Sequence, residues 1–433
     1  MKQYPFSNIH THVFNSECAP DNFLRILPSK FVRRRPKLIK RVLDTKWVRN
    51  VIVFFAQIGR KKDNNKRKAF DKYIGFLEVA TQRKQLDVFE LEFEVGKQFD
   101  SGVRIVGLTM NMDFMDNSAS KFQISFDSQL EAVKDIKRYY PNNFFPFLGV
   151  DPRHKSGTDL VNWSKDYFER GLEKDGMVFP YFSGIKLYPA LGFFAFDPRL
   201  DDLYAYAEIN QLPIITHVTR VGSQYIGSKI TELIPKEPKP KSLSNKNAES
   251  EKAMTDIYER IDAYYDKKWI VDDKTGNNDK ACDLFSHPQN YIPILEKYPK
   301  LKICLAHMGG SNEIVDNSSK DADLRKIRRV DPELWCNRIR EMMVNYPNLY
   351  TDISYTVSDL DNKKVKAAII AFMNTLDKQG KPLAKRVLFG TDFFMTEQEK
   401  RESELFKLSQ IELSAFHDTI TRDNPQEFLR QPL

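Results

Sequence analysis

The sequence predicts a (β/α)8 barrel, and three observations carry the prediction. Eight short apolar runs recur along the chain, and continuous apolar runs suit strands buried on both faces of a parallel sheet. Longer helical or irregular stretches separate them, as parallel crossovers require. Four of the seven histidines stand at the ends of those runs.

The first run is 5–10, ending in IHTH, and the second is 103–110 (VRIVGLTM). Runs three to five are 144–150 (FFPFLGV), 184–188 (GIKLY) and 213–218 (PIITHV). The last three are 301–307 (LKICLAH), 349–354 (LYTDIS) and 386–391 (RVLFGT). YAYAEINQ before the fifth run and YIPILEKYP before the sixth are amphipathic and stop at Pro or polar residues, as helices do. A ninth apolar run, 51–55, reads as inserted helix, because Trp47, Ile52 and Phe55 recur near helical spacing.

The 433 residues are expected to form one barrel. Two segments are too long for simple connections. Residues 14–101 follow strand one and are expected to form a helical cap. Residues 219–283 follow strand five and are expected to form a lid or a dimer arm. The Pro- and Lys-rich stretch PKEPKPKSLSNKN predicts a mobile hinge there, and TDIYERIDAYYDKKW at 255–269 predicts a helix against the barrel or a partner subunit.

With 41% hydrophobic and 12% aromatic residues, the chain has material for a large core, which excludes wholesale disorder. No apolar run of about 18 residues exists to cross a membrane, and the amino terminus lacks the apolar stretch of a signal peptide. Cys18, Cys282, Cys304 and Cys336 form no CxxC pair, so reduced thiols in a cytoplasm are expected. The net charge of +8 includes basic clusters at Arg33, Arg34 and Arg35 and around Lys61–Lys68. They lack interleaved aromatic platforms, so a solvated surface is expected rather than a nucleic-acid site. A basic rim would favour an acidic small-molecule substrate.

His10 and His12 end the first run, His217 the fifth and His307 the sixth, while Asp392 follows the eighth. Side chains alternate along a strand, so a His-x-His pair sends both imidazoles the same way. Neutral imidazole is a strong ligand for zinc and related ions. A barrel gathers distant strand ends around one mouth. One such histidine alone would read as a hydrogen-bonded rim residue, but together with Asp392 they read as a metal site.

The set HTH, ITHV, LAHMGG and FGTD, in this order, resembles the amidohydrolase superfamily. Within it the chain looks most like the amidohydrolase-2 group, which holds hydrolases and decarboxylases related to aminocarboxymuconate semialdehyde decarboxylase. KLYPALGF at 186–193 and the stretch 286–310 are similar to that group as well. The resemblance spans residues 8 to about 394 but not the two insertions.

It implies that His10, His12, His217 and Asp392 bind one divalent metal, with zinc first among the candidates. It implies further that Asp392 is the general base for a metal-activated water and that His307 orients the water or polarises the substrate. Lys186 closes the fourth run, where two-metal members carry a carboxylated, bridging lysine. The alternative is a charged lysine that binds a substrate carboxylate or pairs with Asp392. Arg153 and Arg220 are weaker candidates for gripping a carboxylate, each with a salt bridge as the alternative. His287 reads as a helix-start or packing residue, and His154 and His417 as surface residues. Gly309 and Gly310 suit a tight turn. No P-loop, nucleophile elbow or dinucleotide fingerprint occurs.

The function this implies is hydrolysis of an amide, ester or lactone bond. Non-oxidative decarboxylation of an unsaturated or aromatic acid is the alternative on the same scaffold. A non-catalytic binding barrel is the third reading, and the intact ligand set argues against it. A homo-oligomer is compatible with all three.

Overall fold

Each of the eight runs forms a strand in the computed structural model, which describes residues 4–20, 79, 82, 84–116, 124–174, 177–227, 230–234, 248–266, 280–319 and 321–429. The first three are β1 (Ser7–Thr11), β2 (Arg104–Gly107) and β3 (Phe147–Val150). A short antiparallel hairpin, β4 (Gly171–Lys174) with β5 (Met177–Pro180), follows. It lies outside the barrel sheet, and the sequence reading did not anticipate it. The chain continues with β6 (Gly184–Leu187), β7 (Ile214–Thr216), β8 (Ile303–Leu305), β9 (Leu349–Asp352) and β10 (Val387–Leu388).

All the barrel pairs are parallel. β3, β6, β7, β8, β9 and β10 are neighbours in that order, and β1 pairs with β2. Two seams close the ring. β2 meets β3 through bridges Ile105–Phe144 and Leu108–Phe147. β1 meets the end of β10 through Ile9 N–H donating to Phe389 O at 3.0 Å and the bridge Thr11–Phe393. The result is an eight-stranded parallel barrel.

Its interior is filled by Ile9, Val106, Leu108, Phe147, Ile215, Cys304, Ala306, Tyr350 and Leu388. A second, larger core lies between strands and helices, with Phe89, Ile185, Ile214, Ile303, Ile339, Leu349 and Ile369 all buried. Burying one such side chain is worth about 1.5–3 kcal/mol. Helices Gln85–Phe99, Phe126–Tyr139, Gly157–Phe168, Asp201–Ile209, Ile292–Lys297, Trp335–Asn345, Lys363–Asn374 and Glu402–Glu412 alternate with the strands. Their starts follow capping chemistry: Ser125 accepts from Ser128 N–H and Asn362 from Lys364 N–H.

The helix expected at 255–269 begins seven residues sooner, as Ala248–Asp266. Met254, Ile257, Ile261 and Tyr264 recur at helical spacing and bury against Phe194, Tyr225, Leu284, Phe285 and Ile327 of this same chain. The proposed hinge at 236–247, the run 51–55, the basic clusters and most of the cap lie outside the described residues. Among the described residues no helix is long and apolar enough to cross a membrane.

Candidate metal centre

The strand ends fix where the chemistry gathers. β1 carries a bulge, because the register slips between Asn8 and Thr11. A bulge re-aims a side chain, and His10 lies in it. His10, His12, His217 and His307 are all buried. His307, Tyr355 and Asp392 take left-handed backbone, with φ of 67°, 60° and 65°. Non-glycine residues there carry strain, and such residues cluster at functional sites.

Each imidazole is anchored by one nitrogen. His10 Nδ1 lies 3.0 Å from Asp352 Oδ2, and His12 Nδ1 lies 3.2 Å from the Leu108 carbonyl. His217 Nε2 lies 2.8 Å from the Val221 carbonyl, and His307 Nδ1 lies 3.1 Å from the Ser354 carbonyl. Carboxylates and carbonyls only accept, so each anchoring nitrogen carries the proton. Ser354 Oγ, which also touches the His10 and His307 Nδ1 atoms, gives its own proton to Asp352. In the neutral form of each ring the opposite nitrogen is then a lone pair.

Those lone pairs face one another and the Asp392 carboxylate. His12 Nε2 lies 3.2 Å and His10 Nε2 3.7 Å from Asp392 Oδ1. His217 Nδ1 lies 3.2 Å from His307 Nε2. Asp392 Oδ1 is buried and accepts no hydrogen bond. Apart from Lys186 Nζ, 3.5 Å from His10 Nε2, no described donor reaches these acceptors, an arrangement that a cation satisfies. Three nitrogens with a carboxylate are borderline-soft ligands suited to zinc, manganese or a similar divalent ion. His10, His12 and Asp392 bring one ligand atom each within 4.8 Å of one another, as do His10, His307 and Asp352. His217 joins these sets through His307 rather than directly.

The electrostatics agree. Burial drives His10 down to about 3, with Lys186 adding to the effect, and burial also lowers His217 and His307. Burial alone would raise Asp392, but the surrounding His12, His10 and His307 hold it below the usual carboxylate range. Lys186 Nζ lies 3.5 Å from His10 Nε2 and is fully buried, which pushes it down to about 8.

Beside this centre lies a cavity of about 550 Å3, a normal size for a small-molecule site. His12, His217, His307 and Asp392 line it, with Phe14, Met110, Tyr188 and Met395 as its apolar part. Tyr188 stacks on His217 at 4.2 Å between centroids. Gly222, with φ of 129°, lets the loop after β7 sit against both rings, since a Cβ there would come within 2.8 Å of His217.

The two candidate arginines take the salt-bridge alternative. Arg153 Nε and Nη2 both bond Asp151, with 2.8 Å for Nε, and Nη2 also reaches the Leu191 carbonyl. Arg220 sits among Asp283, Glu313 and Asp331, and its guanidinium lies 4.3 Å above the Trp335 ring. Neither leaves a free fork for a substrate carboxylate. His287 caps a 3-10 turn by accepting from Gln289 N–H and contacts Asp331. His154 and His417 are half-buried rather than surface residues: His154 sits beside Trp163 and Phe126, and His417 beside Phe6. Gly309 and Gly310 have φ of 89° and 95°, as the expected turn requires.

Sequence reading missed Asp352, which anchors His10 and accepts from the His307 N–H at 2.9 Å. Its only signal was an Asp closing the seventh run. Reading also missed Glu92 and Glu402, which are fully buried and both hydrogen-bonded by Asn8 Nδ2 behind β1.

A family model described as amidohydrolase matches residues 141–431. No curated protein sequence matches the chain. Among solved structures, a probable 2-pyrone-4,6-dicarboxylic acid hydrolase from Acinetobacter baumannii with citric acid bound is similar at 11% identity and a TM-score of 0.44, covering 98% of both chains. A 2,6-dihydroxybenzoate decarboxylase from Rhizobium is similar at 14% identity and a TM-score of 0.44, also covering 98% of both. A 5-carboxyvanillate decarboxylase from Novosphingobium aromaticivorans, complexed with manganese, is similar at 13% identity and a TM-score of 0.39, covering 89% of this chain and 93% of that one.

Proposed function

The chain belongs to the amidohydrolase family, an enzyme family, and from that premise we propose that it is a metal-dependent hydrolase of an amide, ester or lactone bond. One observation carries the proposal: the inner nitrogens of His10 and His12 lie 3.7 and 3.2 Å from a buried Asp392 oxygen with no hydrogen-bond partner, and those of His217 and His307 face each other 3.2 Å apart. His10, His12, His217 and Asp392 would hold the ion, with zinc our first candidate. Bound there, a divalent ion supplies Lewis acidity, which acidifies water and polarises a carbonyl.

The chain's own residues do the rest. Asp392 accepts a proton at Oδ1 and returns it to the leaving group. His307 stands with Nε2 bare and Nδ1 fixed by Ser354, so it orients a donor rather than supplying a proton. Lys186, buried beside His10, stays a charged neighbour of Asp392 in this reading, with the carboxylated bridge as its alternative role. Decarboxylation is the alternative reaction, and there Asp392 would deliver the proton to carbon instead.

We take residues 1–433 as one barrel, with 14–101 as a cap and 219–283 as a lid or dimer arm. Four free cysteines support a cytoplasmic protein. Its substrate is a small molecule, and the basic charge of the whole chain favours an acidic one.

Metal analysis tests the centre. Purified protein should hold about one tightly bound divalent ion per chain, and His10→Ala with His12→Ala should lose it. Full metal in the folded double variant would remove the site. Product analysis of the loaded enzyme, hydrolysis against carbon dioxide release, decides the reaction.

A further inference from the structure

One wall of the cavity carries polar groups that neither the metal set nor the fold uses. The turn after β9 places Tyr355 and Asp359 on the lining, and the turn after β10 adds Gln398. The Asp359 turn is well held. Tyr355 N–H donates to the Thr391 carbonyl, Ser358 Oγ–H donates to the Tyr355 carbonyl at 2.8 Å, and Lys400 Nζ binds the Ser358 carbonyl at 2.7 Å. Tyr355 takes left-handed backbone in that turn. Lys400 pairs with Asp361, and no ion pair to Asp359 occurs among the described residues.

Among the described lining residues the sole permanent cation is Arg220, already matched by three carboxylates. The Tyr355 phenol is raised by burial and by the negative charge of Glu399, Asp392 and Asp359, so it stays protonated. This wall therefore offers a carboxylate, a carboxamide and a phenol to a ligand, and no positive charge.

We propose that Asp359 receives a nitrogen cation of the substrate where the turn after β9 lines the cavity, with Tyr355 and Gln398 as further hydrogen-bond partners on the lining. The substrate class is thus a small molecule that carries an ammonium or guanidinium group on an apolar body. Asp359 belongs to neither group of converging ligand atoms, so it is a specificity residue and not a ligand. The inference rests on the proposed function only in taking the histidine cluster as holding a divalent ion. It complements the acidic expectation from net charge, since an acidic group at the ion and a cation at Asp359 belong on opposite ends of one molecule.

Three probes differ only at the far end: 4-(aminomethyl)benzoate, 4-methylbenzoate and terephthalate. Calorimetry on the zinc-loaded protein should show the amino compound binding about tenfold tighter than the methyl compound, and terephthalate weaker than both. Asp359→Asn should bring the three within about threefold of each other, with metal content unchanged. The proposal is overturned if terephthalate binds tightest, if the preference survives in Asp359→Asn, or if the amino compound shows no binding. These affinities need no turnover. A preserved preference with no hydrolysis of any amide, ester or lactone would sink the reaction alone, and hydrolysis without the preference would sink this inference alone.

Discussion

Two buried polar clusters sit at the same mouth of the barrel, and they are built on opposite principles. Around Arg220 the charges close on themselves. Its three nitrogens meet Asp283, Glu313 and Asp331; the Trp335 indole N–H and Arg328 Nη2 share oxygens of Asp331 and Glu313 with it, and Arg338 takes the other oxygen of Asp331. Around Asp392 the outer nitrogens are satisfied while the inner ones, and the carboxylate, are left bare. A satisfied network fixes a shape; here it ties the segment after β7 to the helix Trp335–Asn345. An unsatisfied one is kept only where something else completes it. Burial and charge alone do not separate the two clusters, and hydrogen-bond accounting at their central groups, Arg220 and Asp392 Oδ1, does.

The contrast can be broken most sharply at Asp392. Asp392→Asn should cut turnover by about 1,000-fold or more, because an amide accepts no proton. In metal-stripped protein the same change should hold or raise the melting temperature, since it removes a buried acceptor with no donor. A stability loss with normal turnover would make Asp392 structural. Arg220→Met should do the reverse. Three buried carboxylates would lose their shared cation, at a cost of about 3–5 kcal/mol, and chemical denaturation should show it. A neutral result would mean the hub is solvated in solution. Asp352→Asn tests how the two kinds of partner meet. It weakens the anchor of His10, so metal affinity should fall about 10- to 100-fold while the fold persists, as competition with a chelator would read. Unchanged affinity would release Asp352 from its positioning role.

Much of this was legible in the sequence, and the reasons are physical. All eight barrel strands showed because parallel strands buried on both faces must be apolar throughout, as in IIT at 214–216 and ICL at 303–305. His10, His12, His217, His307 and Asp392 showed because strand ends converge whatever their spacing in sequence. The hairpin Gly171–Pro180 did not, because GLEK and MVFP carry little pattern in eight residues. Asp352 escaped because an acid closing a strand has no signature until its partner, 342 residues away, is known. The state of Arg220 was equally closed to reading, since the partners that neutralise it lie 63, 93 and 111 residues off, whereas Asp151, which pairs with Arg153, stands two residues before it.

A third cluster lies between the two extremes and gives the smallest effect. Glu92 and Glu402 are buried behind β1 with Asn8 Nδ2 bridging them at 2.8 and 3.0 Å, and the second oxygen of each has no partner. No described cation pairs with either. Burial raises both carboxyls well above their usual value, and Glu92 feels the charge of Glu402 in addition. A carboxyl raised in the folded state holds its proton where the unfolded chain has lost it. Its contribution to stability is therefore full below the unfolded value near 4.5 and is lost as pH rises through the folded one. Glu402→Gln, which is neutral at every pH, should match the wild type at pH 4 and become the more stable protein toward pH 8, by about 1–2 kcal/mol. Denaturant melts of the two proteins across that range read the difference directly. If the gap is the same at both ends, Glu402 does not hold a raised proton and the pair behaves like the Arg220 hub, with its charge compensated from outside the described residues.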